Sequence, residues 1–174
     1  MLKNNTLIII LGAAIALVLG IGVGLWRTEP GDADITPEQL YTTNFVDLAG
    51  KSQQLGNWKG KVLVLNFWAT WCPPCIEEIP DFIQADAIYR AKGVAIVGLA
   101  LDEPAKVADF ANRFGIKYPL LIGGPEAYDF AVKLGNKAKG IPFTAIIDRQ
   151  GKVVYLGVGA VRKKELDKVL PPLL

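Results

Sequence analysis

The chain has 174 residues, enough for one ordinary domain. About 59% of them are apolar when glycine is counted and tyrosine is not, above the ~45–50% of typical soluble domains, which excludes disorder. Basic residues number 19 and acidic residues 17, a net charge of +2 without the basic excess of a nucleic-acid binder, so no nucleic-acid partner is expected. There are two cysteines and no histidine. That excludes a serine-hydrolase triad of the usual kind, a His-ligated haem and most zinc sites. Structural zinc needs about four ligands, and two thiols fall short, so no metal is expected.

Much of the apolar excess sits at residues 7–26, which carry no charge: 16 apolar side chains and four glycines. As a helix rising 1.5 Å per residue, such a segment reaches roughly 30 Å, the thickness of a bilayer core. A cleaved secretory signal is the competing reading. Its apolar region is usually only ~7–15 residues long, and Gly20, Gly22 and Gly24 lead to no convincing A-x-A cleavage site. The segment therefore reads as an uncleaved anchor. Lys3 and Arg27 flank it almost evenly, so the positive-inside rule says little. A short tail is easier to leave inside than a whole domain. The expected organisation is a cytoplasmic tail at 1–6, a transmembrane helix at 7–26, a tether at 27–36 and an extracytoplasmic domain at 37–174.

Thr36-Pro37-Glu38-Gln39 has the spacing of a capping box with proline in the first helical position, so a short helix opens the domain. Residues 44–48 and 51–54 flank Ala49-Gly50 as a hairpin. Residues 61–67 form a nearly continuous apolar run, the mark of a strand buried on both faces. Residues 76–91 read as a helix with Ile76, Ile79, Ile83 and Ala87 on one side, kinked at Pro80. A second buried strand is expected at 94–101. Asp102-Glu103-Pro104 then opens a helix with Val107, Phe110, Ala111 and Phe114 at helical spacing, stopped by Gly115. A short strand at 118–122 and a helix at 126–134 follow. Strands at 143–147 and 152–156 are joined by Asp148-Arg149-Gln150-Gly151 as a tight hairpin, and a helix at 163–170 ends at Pro171-Pro172. The alternation predicts an α/β sandwich, a mixed sheet with helices on both faces.

Both cysteines lie in Trp71-Cys72-Pro73-Pro74-Cys75, between a buried strand and a helix. A CxxC at such a junction is a redox signal with a mechanism. The first thiol meets the partial positive charge of the helix N-terminus, and the second, one turn in, can resolve a mixed disulfide. Covalent haem attachment would need histidine after the second cysteine, where Ile76 stands.

The run from Asn66 to Cys75, continued by Glu77-Glu78-Ile79-Pro80, resembles the TlpA/ResA group of membrane-anchored thioredoxin-like proteins. Gly140-Ile141-Pro142-Phe143-Thr144 resembles that group's cis-proline loop, and residues 107–134 its central helix-and-strand insertion. The likeness covers roughly residues 40–170. It implies a thioredoxin fold and a thiol–disulfide oxidoreductase whose only redox group is the Cys72–Cys75 pair, with no further cofactor. Cys72 would be the nucleophile and Cys75 the resolving thiol. Trp71, Pro73, Pro74, Ile141 and a cis Pro142 would face an extended client chain. Implied clients are disulfides of apocytochrome c or of copper-delivery proteins at the inner membrane, with electrons from a transmembrane donor of the DsbD/CcdA type.

Two departures from plain thioredoxin bear on mechanism. Asn66 stands where thioredoxin buries an aspartate beneath the pair, and an amide cannot take a proton. Glu78, three residues after Cys75, matches a glutamate of the group and is the candidate for proton handling. Pro73 and Pro74 both lack a backbone N–H, leaving Cys72 fewer local donors and favouring a reducing couple. A thiol peroxidase is the alternative activity, but it would want threonine where Ala69 stands. Lys133, Lys137, Lys139, Arg162, Lys163 and Lys164 are assigned no function.

Overall fold

The computed structural model describes residues 33–174. The expected tail, transmembrane helix and most of the tether lie outside the described residues, and among those residues no helix is long and apolar enough to cross a membrane. The last tether residues belong to the fold. Asp34 N–H donates to the carbonyl of Lys133 at 2.7 Å, and Ala33 and Ile35 pack against the core, so the domain begins earlier than residue 37.

Helix α1 (Pro37–Thr42) carries the expected capping box: Gln39 N–H donates to Thr36 Oγ1 at 3.2 Å, and Thr36 N–H to Gln39 Oε1 at 3.0 Å. Strands β1 (Asn44–Asp47) and β2 (Ser52–Gln54) form the hairpin, with Gly50 at φ +76° in its turn. β3 (Val62–Trp68), β4 (Val94–Ala100), β5 (Leu120–Ile122), β6 (Phe143–Ile147) and β7 (Val153–Val158) complete one seven-stranded sheet of order β2-β1-β5-β4-β3-β6-β7. β3 pairs in parallel with β4 and antiparallel with β6, so the sheet is mixed. Its two central strands are buried at every position, which explains their unbroken apolar runs.

Helices α2 (Pro73–Tyr89), α3 (Pro104–Phe114), α4 (Pro125–Lys133) and α5 (Lys163–Val169) cover both faces. Val62, Val64 and Trp68 of β3 join the core of α2, α3 and α5, while Leu63, Leu65 and Phe67 join that of α1 and α4. The period-two alternation of one strand thus feeds two cores. Asn66, on the first of these faces, is the one polar residue of β3, and it is fully buried.

Some boundaries differ from the sequence reading. α2 begins at Pro73 rather than 76, because prolines at the first two helical positions suit φ and forgo N–H groups that would be unpaired anyway. Pro80 lies within α2, so the expected kink site does not end the helix. The strand expected at 118–122 shortens to Leu120–Ile122, and β7 runs two residues further than expected. The insertion region places β5 between β4, to which it is parallel, and β1, to which it is antiparallel.

Candidate active site

Strand β3 carries the chain to one end of the sheet, and four residues after Trp68 Cys72 caps α2. The short loop is tied at several points. Cys72 N–H donates to the carbonyl of Ala69 at 3.3 Å, and Leu101 N–H to that of Trp68 at 2.8 Å. Asp102 accepts from the amide and the hydroxyl of Thr70. Burial works against the Asp102 anion, but these bonds and the amide of Glu103 outweigh it and hold the carboxyl below its ordinary range.

Cys72 and Cys75 form a disulfide with Cα atoms 5.3 Å apart. Cys72 is 4% exposed and Cys75 is wholly buried, whereas Trp71 beside them is 61% exposed. Pro73 and Pro74 occupy the first two helical positions, so neither offers an N–H to the Cys72 sulfur. The Ile141–Pro142 peptide is cis. β6 begins directly after it, with Phe143 opposite Phe67 of β3, so Pro142 lies at the end of the sheet from which the redox loop departs. Ile141 packs against the apolar cluster that contains both cysteines.

One helical turn beyond Cys75, Glu78 is completely buried. Its Oε1 accepts from Asn66 Nδ2 at 2.7 Å and its Oε2 from the backbone N–H of Val161 at 2.8 Å. Asn66 Nδ2 also donates to Thr144 Oγ1 at 3.2 Å. Burial pushes the Glu78 carboxyl up to about 7, against the pull of these two donors and of the Arg162 charge. A carboxyl so placed, three residues after Cys75 on α2, can hold or release a proton near neutrality. Its neighbour Glu77 is exposed and bonded to Arg162.

The geometry thus joins Cys72, Cys75, Glu78, Pro73 and Pro74 on one helix start and puts Ile141 and Pro142 at the same sheet end. Sequence reasoning missed Thr144, Val161 and Arg162 around Glu78, and Asp102 behind the loop. Thr144 carried a signal, since it faces Asn66 directly in the β3–β6 register. Arg162 carried none, because its partner Glu77 is 85 residues away.

Comparison with known proteins decides the family: residues 35–170 match the Redoxin family model. The chain belongs to the redoxin family. Among curated relatives, the thiol-disulfide oxidoreductase ResA of Bacillus thuringiensis (strain Al Hakam) is 35% identical, covering 98% of this chain and 97% of its own length. ResA of Bacillus subtilis (strain 168) is 30% identical over 92% of this chain and 89% of its own. A thioredoxin-family thiol:disulfide interchange protein from Chlorobium tepidum TLS superposes with a TM-score of 0.66 at 32% identity, covering 75% of this chain and 92% of that one. This redoxin is therefore a ResA-like thiol–disulfide oxidoreductase with a thioredoxin-like α/β fold. In this redoxin the two cysteines are joined as a disulfide at the start of α2.

Proposed function

We propose that this redoxin is a membrane-anchored reductant of client protein disulfides on the extracytoplasmic side of a bacterial inner membrane. The Cys72 thiolate attacks a client disulfide, one client thiolate leaves, and a mixed disulfide forms. Cys75 then gives its proton to Glu78 and attacks the Cys72 sulfur. The second client thiol departs, and the two electrons of the dithiol have moved to the client. Trp71, Ile141 and Pro142 flank the extended client chain. The pair itself is the only redox group this reaction needs. The resemblance of the CxxC and cis-proline motifs to the TlpA/ResA group is what supports apocytochrome c or copper-delivery proteins as clients and an electron donor of the DsbD/CcdA type.

The reductive direction rests on one observation, the proline pair that opens α2. Strong oxidants stabilise the thiolate heavily, which lowers its pKa to ~3.5 and makes the disulfide eager to accept electrons. Here the first two helical positions bring no N–H to Cys72, and the chain has no histidine to add a charge. The potential is expected in the thioredoxin region near about −270 mV rather than about −120 mV. Equilibration against a thioredoxin couple measures it. A value above about −180 mV, the disulfide-isomerase level, would overturn the direction. Fully buried Ala69 offers no hydroxyl beside the pair, so insulin reduction should proceed while hydrogen peroxide consumption stays at background.

A further inference from the structure

Arg162 stands at the N-cap of α5 and reaches across to the first turns of α2. Its Nη1 donates to the Glu77 carbonyl at 2.6 Å and its Nη2 to Glu77 Oε2 at 2.7 Å, and Asp81 Oδ2 lies 3.9 Å from Nη1. The preceding residue, Val161, is buried in the apolar cluster that contains both cysteines, and its N–H is the donor to Glu78 Oε2. Two consecutive residues of one loop therefore grip two consecutive residues of α2, one from outside and one from within. The loop has little play. A Cβ on Gly157 would come within 2.4 Å of Val161 Cγ2, and the Arg162 amide is held by Glu165 Oε2 at 3.0 Å.

We infer that Arg162 is a positioning residue for the proton chemistry of the dithiol: by clamping Glu77 it keeps the Val161 N–H seated on Glu78. The inference rests on the role proposed for Glu78 and adds the group that sets it. The groups acting on Glu78 are Asp81 on α2, Asn66 on β3, itself bonded to Thr144 on β6, Tyr155 on β7, Tyr118 before β5 and Arg162. Arg162 is the cation among them. Its charge and the seated N–H both favour the ionised carboxylate, so losing the clamp makes Glu78 harder to ionise. A glutamine at 162 keeps polarity but neither the charge nor the fork that takes carbonyl and carboxylate together.

The test uses the full-length chain in detergent, as wild type, Arg162→Gln, Arg162→Lys, Glu78→Gln and the Arg162→Gln/Glu78→Gln double variant. The readouts are the pH profile of insulin reduction and the carboxyl carbon resonance of Glu78 in the oxidised protein. Arg162→Gln should move both the profile and the Glu78 titration upward by roughly half to one pH unit, and Arg162→Lys should move them less. In the Glu78→Gln background, Arg162→Gln should leave the profile where Glu78→Gln alone has it. A Glu78 resonance that titrates as in wild type in Arg162→Gln overturns the clamp. So does a profile shift that persists in the double variant. If Glu78→Gln alone reproduces the wild-type profile, the role of Glu78 falls first, and the inference with it.

Discussion

Replacing Glu78 by glutamine should flatten the pH dependence of stability between pH 4.5 and 8. In the unfolded chain Glu78 titrates near its ordinary 4.5, whereas burial in the native state pushes it up to about 7. Between those values the native protein holds a proton that the unfolded chain has released. Stability therefore falls as pH rises through this window, and the cost is complete above it. A gap of about 2.5 pH units at about 1.4 kcal/mol each makes that cost roughly 3.5 kcal/mol. Asp47, Asp102 and Asp167 are held below their ordinary 3.8. Their stabilisation is lost only as pH falls below that value, so they leave the window clear. Glutamine fits the site. It keeps one acceptor oxygen, and Asn66 Oδ1, buried without a partner, can accept from the new amide once the Asn66 side chain turns. Urea unfolding of the oxidised protein at pH 5, 6, 7 and 8 measures the effect. Wild type should lose roughly 2.5 kcal/mol across the series, part of the cost being already in place at pH 5, and the variant should vary by less than about 1 kcal/mol. Parallel wild-type and variant curves would refute the argument.

Cys75→Ser should abolish insulin reduction and accumulate a client mixed disulfide on Cys72, seen by mass spectrometry and released by dithiothreitol; Cys72→Ser should accumulate none. An adduct on Cys72→Ser with none on Cys75→Ser would reverse the order of attack, and equal adducts would refute it. Gly98→Ala should lower the unfolding free energy by about 1–3 kcal/mol, since overpacked cores resist added methyls. Its Cβ would stand 2.7 Å from Leu120 Cδ2 and 3.0 Å from Trp68 Nε1. An unchanged urea midpoint would show that Leu120 yields at no cost.

The fold was legible wherever one local rule dominated. The capping box at Thr36, the apolar runs of β3 and β4, and Gly115 in the left-handed conformation at the end of α3 are each decided by a few neighbouring residues. Boundaries slipped where two signals overlapped. Pro73 and Pro74 look like a break in the chain, yet a helix start tolerates them, so α2 reaches back to the cysteine itself. The site was legible as far as its motif extended. The CxxC names the two sulfurs, and the polar Asn66 inside an apolar strand marks a buried polar contact below them. The rest depends on long-range closure. Val161 meets Glu78 across 83 residues, and Asp102 meets Thr70 across 32. Neither spacing leaves a trace in periodicity or composition. The exposed Arg162 looked like any solvated helix-end charge until its two bonds to Glu77 were in place.

The near-complete enclosure of the sulfurs separates equilibrium from rate. Cys72 is 4% exposed and Cys75 not at all, so a small thiol diffusing past finds almost no surface to strike. The potential is set by how well the surroundings stabilise the thiolate relative to the disulfide, whereas exposure sets how fast an outside thiol can reach the sulfurs. Access is a different matter, and on the proposed function it is governed by shape at Trp71, the exposed ring beside the pair. On the function proposed above, a reductant surrounded by an oxidising medium could then stay charged for its partners, insulated by kinetics from a bath with which it is far from equilibrium.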